Sequence, residues 1–182
     1  MQFTGRYASP LGDILLAADE EGLTGLWFEG QKHFAQSLDA SHEERELPLL
    51  DDAKRWLDQY FSGRAPDFTP PLHLTGTAFQ REVWDILRGI PYGSTTTYGA
   101  IAVQIAQKRG LAHMSAQAVG SAVGHNPVSI IVPCHRVLGT NGSLTGYAGG
   151  VDRKRSLLAL EGVKQEGRMT DIARTSSLQN MG

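Results

Sequence analysis

The sequence predicts a mixed α/β (α+β) protein in two parts, a small sheet with one helix followed by a helix-turn-helix unit with a β-wing. Three observations carry this. Apolar stretches alternate with turn residues between Tyr7 and Glu29, apolar residues recur at helical spacing from Pro48 to Phe61, and three short capped helices follow Thr77. In the first part, Ser9-Pro10-Leu11-Gly12 marks a turn, Ile14 to Ala18 a strand, Glu21-Gly22 a second turn and Leu23 to Phe28 another strand. This is the pattern of an antiparallel meander. Leu50, Ala53, Trp56, Leu57, Tyr60 and Phe61 form one face of a helix that Ser62-Gly63 ends. The proline-bearing connector from Pro66 to Thr77 marks a boundary, giving domains over 1–75 and 76–165 and a tail over 166–182.

In the second part, Thr77 caps a helix whose inner face is Phe79, Val83, Trp84 and Leu87, and Gly89-Ile90-Pro91 ends it. Thr97 caps a second helix over Tyr98 to Ala106, a loop spans Gln107 to His113, and Ser115 caps a third helix through Val123. Val128 to Val132 reads as a buried strand, and Thr140-Asn141-Gly142-Ser143 as the hairpin turn of a wing. Asp152 to Leu160 forms a last helix, and the segment from Gly167 onward reads as frayed.

Composition narrows the class. With 41% hydrophobic and 20% charged residues the chain suits a globular protein, and the lack of an eighteen-residue apolar run argues against a membrane span. The opening residues lack a basic segment followed by an apolar run, so no secretory signal is expected. One cysteine allows neither an internal disulfide nor a thiolate-rich zinc site, which points to a reducing cytoplasm. Residues 1–75 hold six Lys/Arg against thirteen Asp/Glu, whereas residues 76–162 hold eight against four. A basic half on an acidic half fits a nucleic-acid-binding module on a support domain; the alternative is chance segregation of solvated charge.

Two features point to chemistry. The third helix is nearly bare of bulk at Ala116, Ala118, Gly120, Ser121, Ala122 and Gly124. Each helical glycine costs about 1 kcal/mol against alanine, so close approach is required, either by a packed helix or by the groove of a DNA duplex read without sequence preference. Cys134 is the second feature. A lone cysteine is commonly a small buried hydrophobe, but this one follows Pro133 and precedes His135 and Arg136. A free thiol is only a few per cent thiolate at neutral pH, and a basic neighbour lowers its pKa. His135 is the expected activator. Adjacent strand residues face opposite sides, so the pair cooperates only where the chain turns. Glu161, after the last helix, is the candidate that orients the imidazole, or else a solvated helix-end carboxylate.

The stretch from Gly124 through Pro133-Cys134-His135-Arg136-Val137 resembles the active-site signature of the O(6)-alkylguanine-DNA alkyltransferase family. Phe79-Gln80-Arg81-Glu82-Val83-Trp84, Ile90-Pro91-Tyr92-Gly93, Tyr98-Gly99, Thr145-Gly146-Tyr147-Ala148-Gly149-Gly150 and Leu160-Glu161-Gly162 extend the resemblance over roughly 76–162. The resemblance implies a ribonuclease-H-like N-terminal domain and a winged helix-turn-helix domain. It implies direct reversal of DNA damage: one irreversible transfer of an alkyl group from O(6)-alkylguanine, with O(4)-alkylthymine as a further candidate substrate, to Cys134. His135 and Glu161 would form a relay through water, and Tyr98 would donate a proton to the departing base. Asn126 would be a hinge residue. Ser115, Gln117, Ala118, Arg136, Val137, Tyr147, Ala148 and Gly149 would meet the DNA or the extruded base. The implied partner is double-stranded DNA containing alkylated guanine, bound by a monomer, with no cofactor and no metal.

The match departs from the family in two places. Relatives commonly carry an arginine where this chain has Gln117, and Gln117 lacks the charge and planar fork of that residue. The segment Ile105 to Met114 is longer than usual, and its Lys108 and Arg109 are expected to contact phosphates. Rival readings are a lesion-binding relative without an acceptor cysteine, a cysteine hydrolase and a transcription regulator. Cys134, the helix-turn-helix pattern and the lack of an additional domain disfavour them in turn.

Overall fold

A four-stranded sheet of order β3-β2-β1-β4 forms the first half of the computed structural model, which describes residues 1–164. The expected tail, 166–182, and the last residue of the expected second domain lie outside the described residues. Strands β1 (Gln2–Ser9), β2 (Gly12–Ala18) and β3 (Leu23–Phe28) make the expected antiparallel meander, from Phe3 opposite Ala18 to Ser9 opposite Gly12. The first strand starts five residues before the apolar alternation becomes legible. β4 (His42–Glu44) pairs parallel to β1 and has no sequence signal, because its three residues are all exposed and polar. Helix α1 (Pro48–Phe61) buries Leu50, Ala53, Trp56, Leu57 and Tyr60, the stripe its spacing indicated. Proline at its first turn sets the helical φ without losing a hydrogen bond.

The connector after α1 is tied to the sheet. Leu23 donates its N–H to Pro71 O at 2.8 Å, and His73 donates to Leu23 O at 2.9 Å. Gly22 permits this approach: a Cβ there would stand 2.8 Å from the Leu72 carbonyl carbon. A second tie joins the two halves of the chain. Leu26 N–H bonds Pro127 O at 2.8 Å and Ser129 N–H bonds Leu26 O at 3.0 Å, so the segment leading to Cys134 docks on β3.

Helices α2 (Ala78–Arg88), α3 (Tyr98–Arg109) and α4 (Ala116–Gly124) follow, capped by Thr77, Thr97 and Ser115 as read from the sequence. Trp84 Nε1 donates to Ala122 O at 2.8 Å and anchors α4 on α2. The helix-turn-helix pair is α3 and α4. Helix α3 runs to Arg109 and stops at left-handed Gly110, so Lys108 and Arg109 are helical rather than in a loop. Arg109 is paired with Glu82 and lies over the Phe79 ring, which occupies the charge expected to reach phosphate.

One expected strand does not form, and the expected wing is not a hairpin. Val128 to Val132 is buried, but it folds as consecutive turns: Ile131 N–H bonds Ser129 O and Val132 N–H bonds Val128 O. Ile130 sits at φ 70°, a costly position for a β-branched residue. The run is apolar because it is buried, not because it is extended. At Thr140 to Ser143 the turn itself is present, with Asn141 and Gly142 both at positive φ and Gly139 N–H bonded to Ser143 O at 2.8 Å. No strand follows it. Instead β6 (Val137–Leu138) pairs parallel with β5 (Thr96–Thr97), and the wing is a closed loop. Helix α5 (Val151–Leu160) ends the described fold. One apolar cluster unites Leu26, Leu57, Trp84, Val123, Val132 and Leu157, so the two halves share a core.

Thr77 makes a reciprocal capping box with Gln80 at the start of α2. Thr77→Ala should lower stability by about 1 kcal/mol, read as a lower thermal midpoint. An unchanged midpoint would show that the cap contributes nothing to the fold.

Candidate active site

Chain direction changes sharply at Pro133. Cys134–Arg136 form a single 3-10 turn, closed by Arg136 N–H on Pro133 O at 3.0 Å. The turn lets neighbouring side chains serve one site, which a regular strand would forbid. Asn126 fixes its approach: Nδ2 donates to Val132 O at 2.8 Å, and Oδ1 accepts from Val128 N–H at 3.0 Å. Asn126, the expected hinge residue, is buried and spends both ends of its amide on the backbone between α4 and Cys134.

His135 is fully buried, and Glu161 caps the end of α5. Glu161 Oε2 accepts from His135 Nε2 at 2.5 Å and from Tyr60 OH at 2.7 Å. Its other oxygen, Oε1, accepts from Arg136 Nε at 2.8 Å and from Gly93 N–H at 3.0 Å. Burial alone would raise the Glu161 pKa, but the bonds and charge of His135, with Arg136 and Gly93 N–H, bring it down to about 2. The carboxylate is therefore ionised at neutral pH. Burial lowers the His135 pKa against the opposing pull of Glu161, so the imidazole is neutral. With Nε2–H on Glu161, the lone pair lies on Nδ1, a buried nitrogen with no protein partner among the described residues.

Arg136 is expected from the resemblance to meet DNA, but it is buried. Its guanidinium bonds Glu161 and Ile90 O and lies over the Tyr92 ring. It serves the carboxylate rather than the surface. The sulfur also departs from expectation. Cys134 is 3% exposed, and burial raises its thiol pKa, opposed by the Asn126 amide, the Lys154 charge and the Ser129 hydroxyl. The resting thiol is protonated.

Lys154 was not legible as a site residue. Its side chain is fully buried, Nζ donates to Val137 O at 2.5 Å, and the ammonium stands 5.7 Å from the Tyr98 ring centre. Burial lowers its pKa to about 8, and the sulfur opposes that shift. No carboxylate pairs with it among the described residues. Tyr60 was equally hidden, because at its spacing an aromatic residue reads as core. A faint signal existed for Lys154 alone: a lysine on the inner face of an otherwise amphipathic helix.

The other sequence-derived residues divide between a groove and a loop. Ser115, Gln117 and Ala118 are exposed on α4. With Tyr98, Gly120 and the wing residues Thr140 and Asn141, Gln117 lines a groove of about 840 Å³. Tyr98 OH donates to Thr145 O at 3.3 Å, and burial together with Cys134 pushes its pKa up to about 12. Val137 is buried beneath Lys154. Tyr147, Ala148 and Gly149 form a loop braced by the first domain: Lys32 N–H bonds Ala148 O, while Arg153 reaches Gly149 O, Leu11 O and Glu29 O. Tyr147 is buried with an unpartnered hydroxyl, and a Cβ at Gly149 would lie 2.7 Å from its ring. At Gly120 and Gly124 of α4, an added Cβ would meet only ordinary contacts, at 3.7 and 4.0 Å. Internal packing therefore does not explain these glycines.

No group of three or more His, Cys, Asp or Glu capable of holding a metal ion occurs among the described residues. Nor is any helix among them long and apolar enough to cross a membrane.

Two outcomes follow from these charges. The depressed Glu161 pKa contributes stability that is complete above its ordinary 4.5 and is lost as pH falls towards about 2. Glu161→Gln should flatten acid denaturation in that window, and an unaltered acid limb would contradict the ionised, bonded carboxylate. Lys154→Met should raise the Cys134 pKa further. Alkylation by iodoacetamide at neutral pH should then slow by about tenfold per pKa unit; an unchanged rate would show the ammonium to be irrelevant to the sulfur.

Comparison with known proteins identifies the family of both domains. Residues 3–74 match the 6-O-methylguanine DNA methyltransferase ribonuclease-like domain, and residues 78–163 match the DNA-binding domain of the same family. The methylated-DNA–protein-cysteine methyltransferase of Methanosarcina acetivorans is 47% identical over 156 residues, covering 86% of this chain and 96% of the relative. The Haemophilus influenzae protein of the same name is 41% identical, covering 85% and 83%. The Mycobacterium tuberculosis O6-methylguanine methyltransferase crystal structure superposes with a TM-score of 0.73 at 41% identity, covering 88% of this chain and 93% of that one. The M. tuberculosis enzyme in complex with DNA gives 0.72 at 42% identity, covering 88% and 91%. The chain belongs to the 6-O-methylguanine DNA methyltransferase family, with a ribonuclease-like domain followed by a helix-turn-helix DNA-binding domain.

Proposed function

We propose that this protein repairs double-stranded DNA by moving an alkyl group from O(6)-alkylguanine to Cys134, once per molecule. The observation that carries the reading is the 3-10 turn that sets the only cysteine beside a neutral, Glu161-oriented histidine, within a helix-turn-helix domain.

The target carbon is out of reach in a stacked base pair, so the nucleotide is extruded at a cost of a few kcal/mol. The small residues of α4 admit close approach of a duplex, and exposed Gln117 occupies the position next to the vacated stack. Tyr98 and the Thr145–Gly149 loop cover the sulfur, and the base enters by displacing the Tyr98 bond to Thr145 O.

In the transfer, a sulfur–carbon bond forms as the carbon–O6 bond breaks. The thiol proton passes to His135 Nδ1, through a water molecule, and the imidazolium is stabilised by Glu161. The Tyr98 hydroxyl supplies a proton to the departing guanine, which would otherwise leave as an anion. The imidazolium then gives up its proton through solvent and the Tyr98 phenolate regains one, so that in balance guanine gains the hydrogen that the thiol loses. Lys154 stabilises the transient thiolate. A thioether has no activated leaving group, so the cysteine is not regenerated. The protein acts in the cytoplasm as a monomer and needs no cofactor or metal; alkylated thymine is a further candidate substrate.

Intact mass spectrometry after mixing with a duplex carrying one O(6)-methylguanine tests this. One methyl group should appear on the Cys134 peptide, at one equivalent and no more, while Cys134→Ala binds the duplex without reacting. Multiple turnovers, or methylation elsewhere, would overturn the reading.

A further inference from the structure

The relay carboxylate has a partner from the other domain. Tyr60, on α1 of the ribonuclease-like domain, donates its hydroxyl to Glu161 Oε2 at 2.7 Å, and its oxygen lies 3.5 Å from His135 Nε2. We infer that Tyr60 is a positioning residue of the alkyl-acceptor site, which sets the histidine tautomer through Glu161. The inference rests on the reading of Cys134 as the acceptor.

The geometry leaves little freedom. Tyr60 is fully buried, its ring stacks on Trp56 at 5.4 Å and 7°, and it meets the imidazole edge-on at 6.3 Å and 76°. The hydroxyl is thereby fixed at one point between carboxylate and imidazole. Burial and Glu161 both raise its pKa, so it stays a donor throughout the working range. Its one hydrogen goes to Oε2. What it turns towards His135 Nε2 is an oxygen lone pair, beside the lone pairs of the carboxylate itself. Nε2 therefore faces acceptors only, and a buried imidazole lacking hydrogen there would oppose lone pairs. The Nε2–H form is enforced, and the basic lone pair stays on Nδ1.

A phenylalanine would fill the same volume and keep the stack on Trp56. Packing therefore accounts for the ring, and the hydroxyl needs another reason. The bond spans 101 positions in sequence and crosses between domains, so the acidic support domain completes the reactive site as well as carrying it.

Iodoacetamide alkylation of Cys134 across neutral to alkaline pH tests the role without any DNA substrate. The full chain is compared as wild type, Tyr60→Phe, Glu161→Gln and the double variant. Tyr60→Phe should react about tenfold more slowly, the effect of one buried bond to a charged group, with its pH profile moved to higher pH. In the double variant, Tyr60→Phe should add nothing to the loss from Glu161→Gln, because the hydroxyl acts through that carboxylate. A wild-type profile for Tyr60→Phe, or the same loss repeated in the Glu161→Gln background, would overturn the inference. Nitrogen NMR of the unaltered protein gives a check independent of variant folding: His135 should carry its proton on Nε2, and a protonated Nδ1 would overturn the proposal. Failure of the wild type to take methyl from DNA would instead strike the repair reading alone.

Discussion

A carboxylate taken out of water costs several kcal/mol, on the order measured for buried ions, unless fixed donors replace its hydration shell. Glu161 meets that condition with four donors from three segments: Tyr60 from α1, the Gly93 N–H after α2, and His135 and Arg136 from the 3-10 turn. The same bonds do two things. They keep the anion stable in an apolar setting, and they fix the distance between α5, the turn and the sheet domain. Arg136 extends the network to Ile90 O, so the end of α2 is drawn in as well. Stability and reactivity thus share one group, and disturbing the carboxylate would disturb both.

The sulfur is kept differently. It is buried and protonated, next in sequence to neutral His135, with Lys154 and the Asn126 and Ser129 side chains close enough to favour its ionised form. A thiolate exposed at rest would be spent on any small oxidant or electrophile. Since the proposed chemistry uses each molecule once, such loss would be permanent. Ionisation on arrival of the substrate avoids it. Lys154 is costly to bury with a single carbonyl acceptor, and its depressed pKa records that cost; the compensating anion is the one that appears during reaction.

The two family domains are not independent bodies joined by a linker. The connector adds to β3, the Pro127–Ser129 segment adds to the same strand, Lys32 bonds the Tyr147–Gly149 loop from the first domain, and Arg153 of α5 ties that loop to Leu11 O and Glu29 O. Strain at Ile130 is maintained by this docking: the segment must bond β3, satisfy Asn126 and still deliver Cys134 within a few residues. An unconstrained chain would relax that φ, as non-glycine residues in the left-handed region cost of order 1–3 kcal/mol.

Much of this protein is local and so was legible in one dimension. The caps at Thr77, Thr97 and Ser115, the stripe of α1 and the Asn141-Gly142 turn depend on residues within one or two helical turns, and side-chain chemistry at those ranges decides them. The cysteine signature and its family likewise lie along a contiguous stretch. What contiguous residues do not encode is the partner across the fold. Val128 to Val132 looked extended because burial and strand formation leave the same apolar run. Arg136 was expected to meet DNA from the family resemblance, and only the fold places the buried Glu161 carboxylate beside it. Tyr60 read as core and Lys154 drew no role, since their meaning lies in groups 101 and 17 positions away. The sequence by itself determined the helices, the residues that cap their starts and the two-domain family, and it singled out Cys134 as the candidate reactive residue. Only the tertiary structure decided which charges its sulfur feels, because those depend on burial and on distances that close between remote segments.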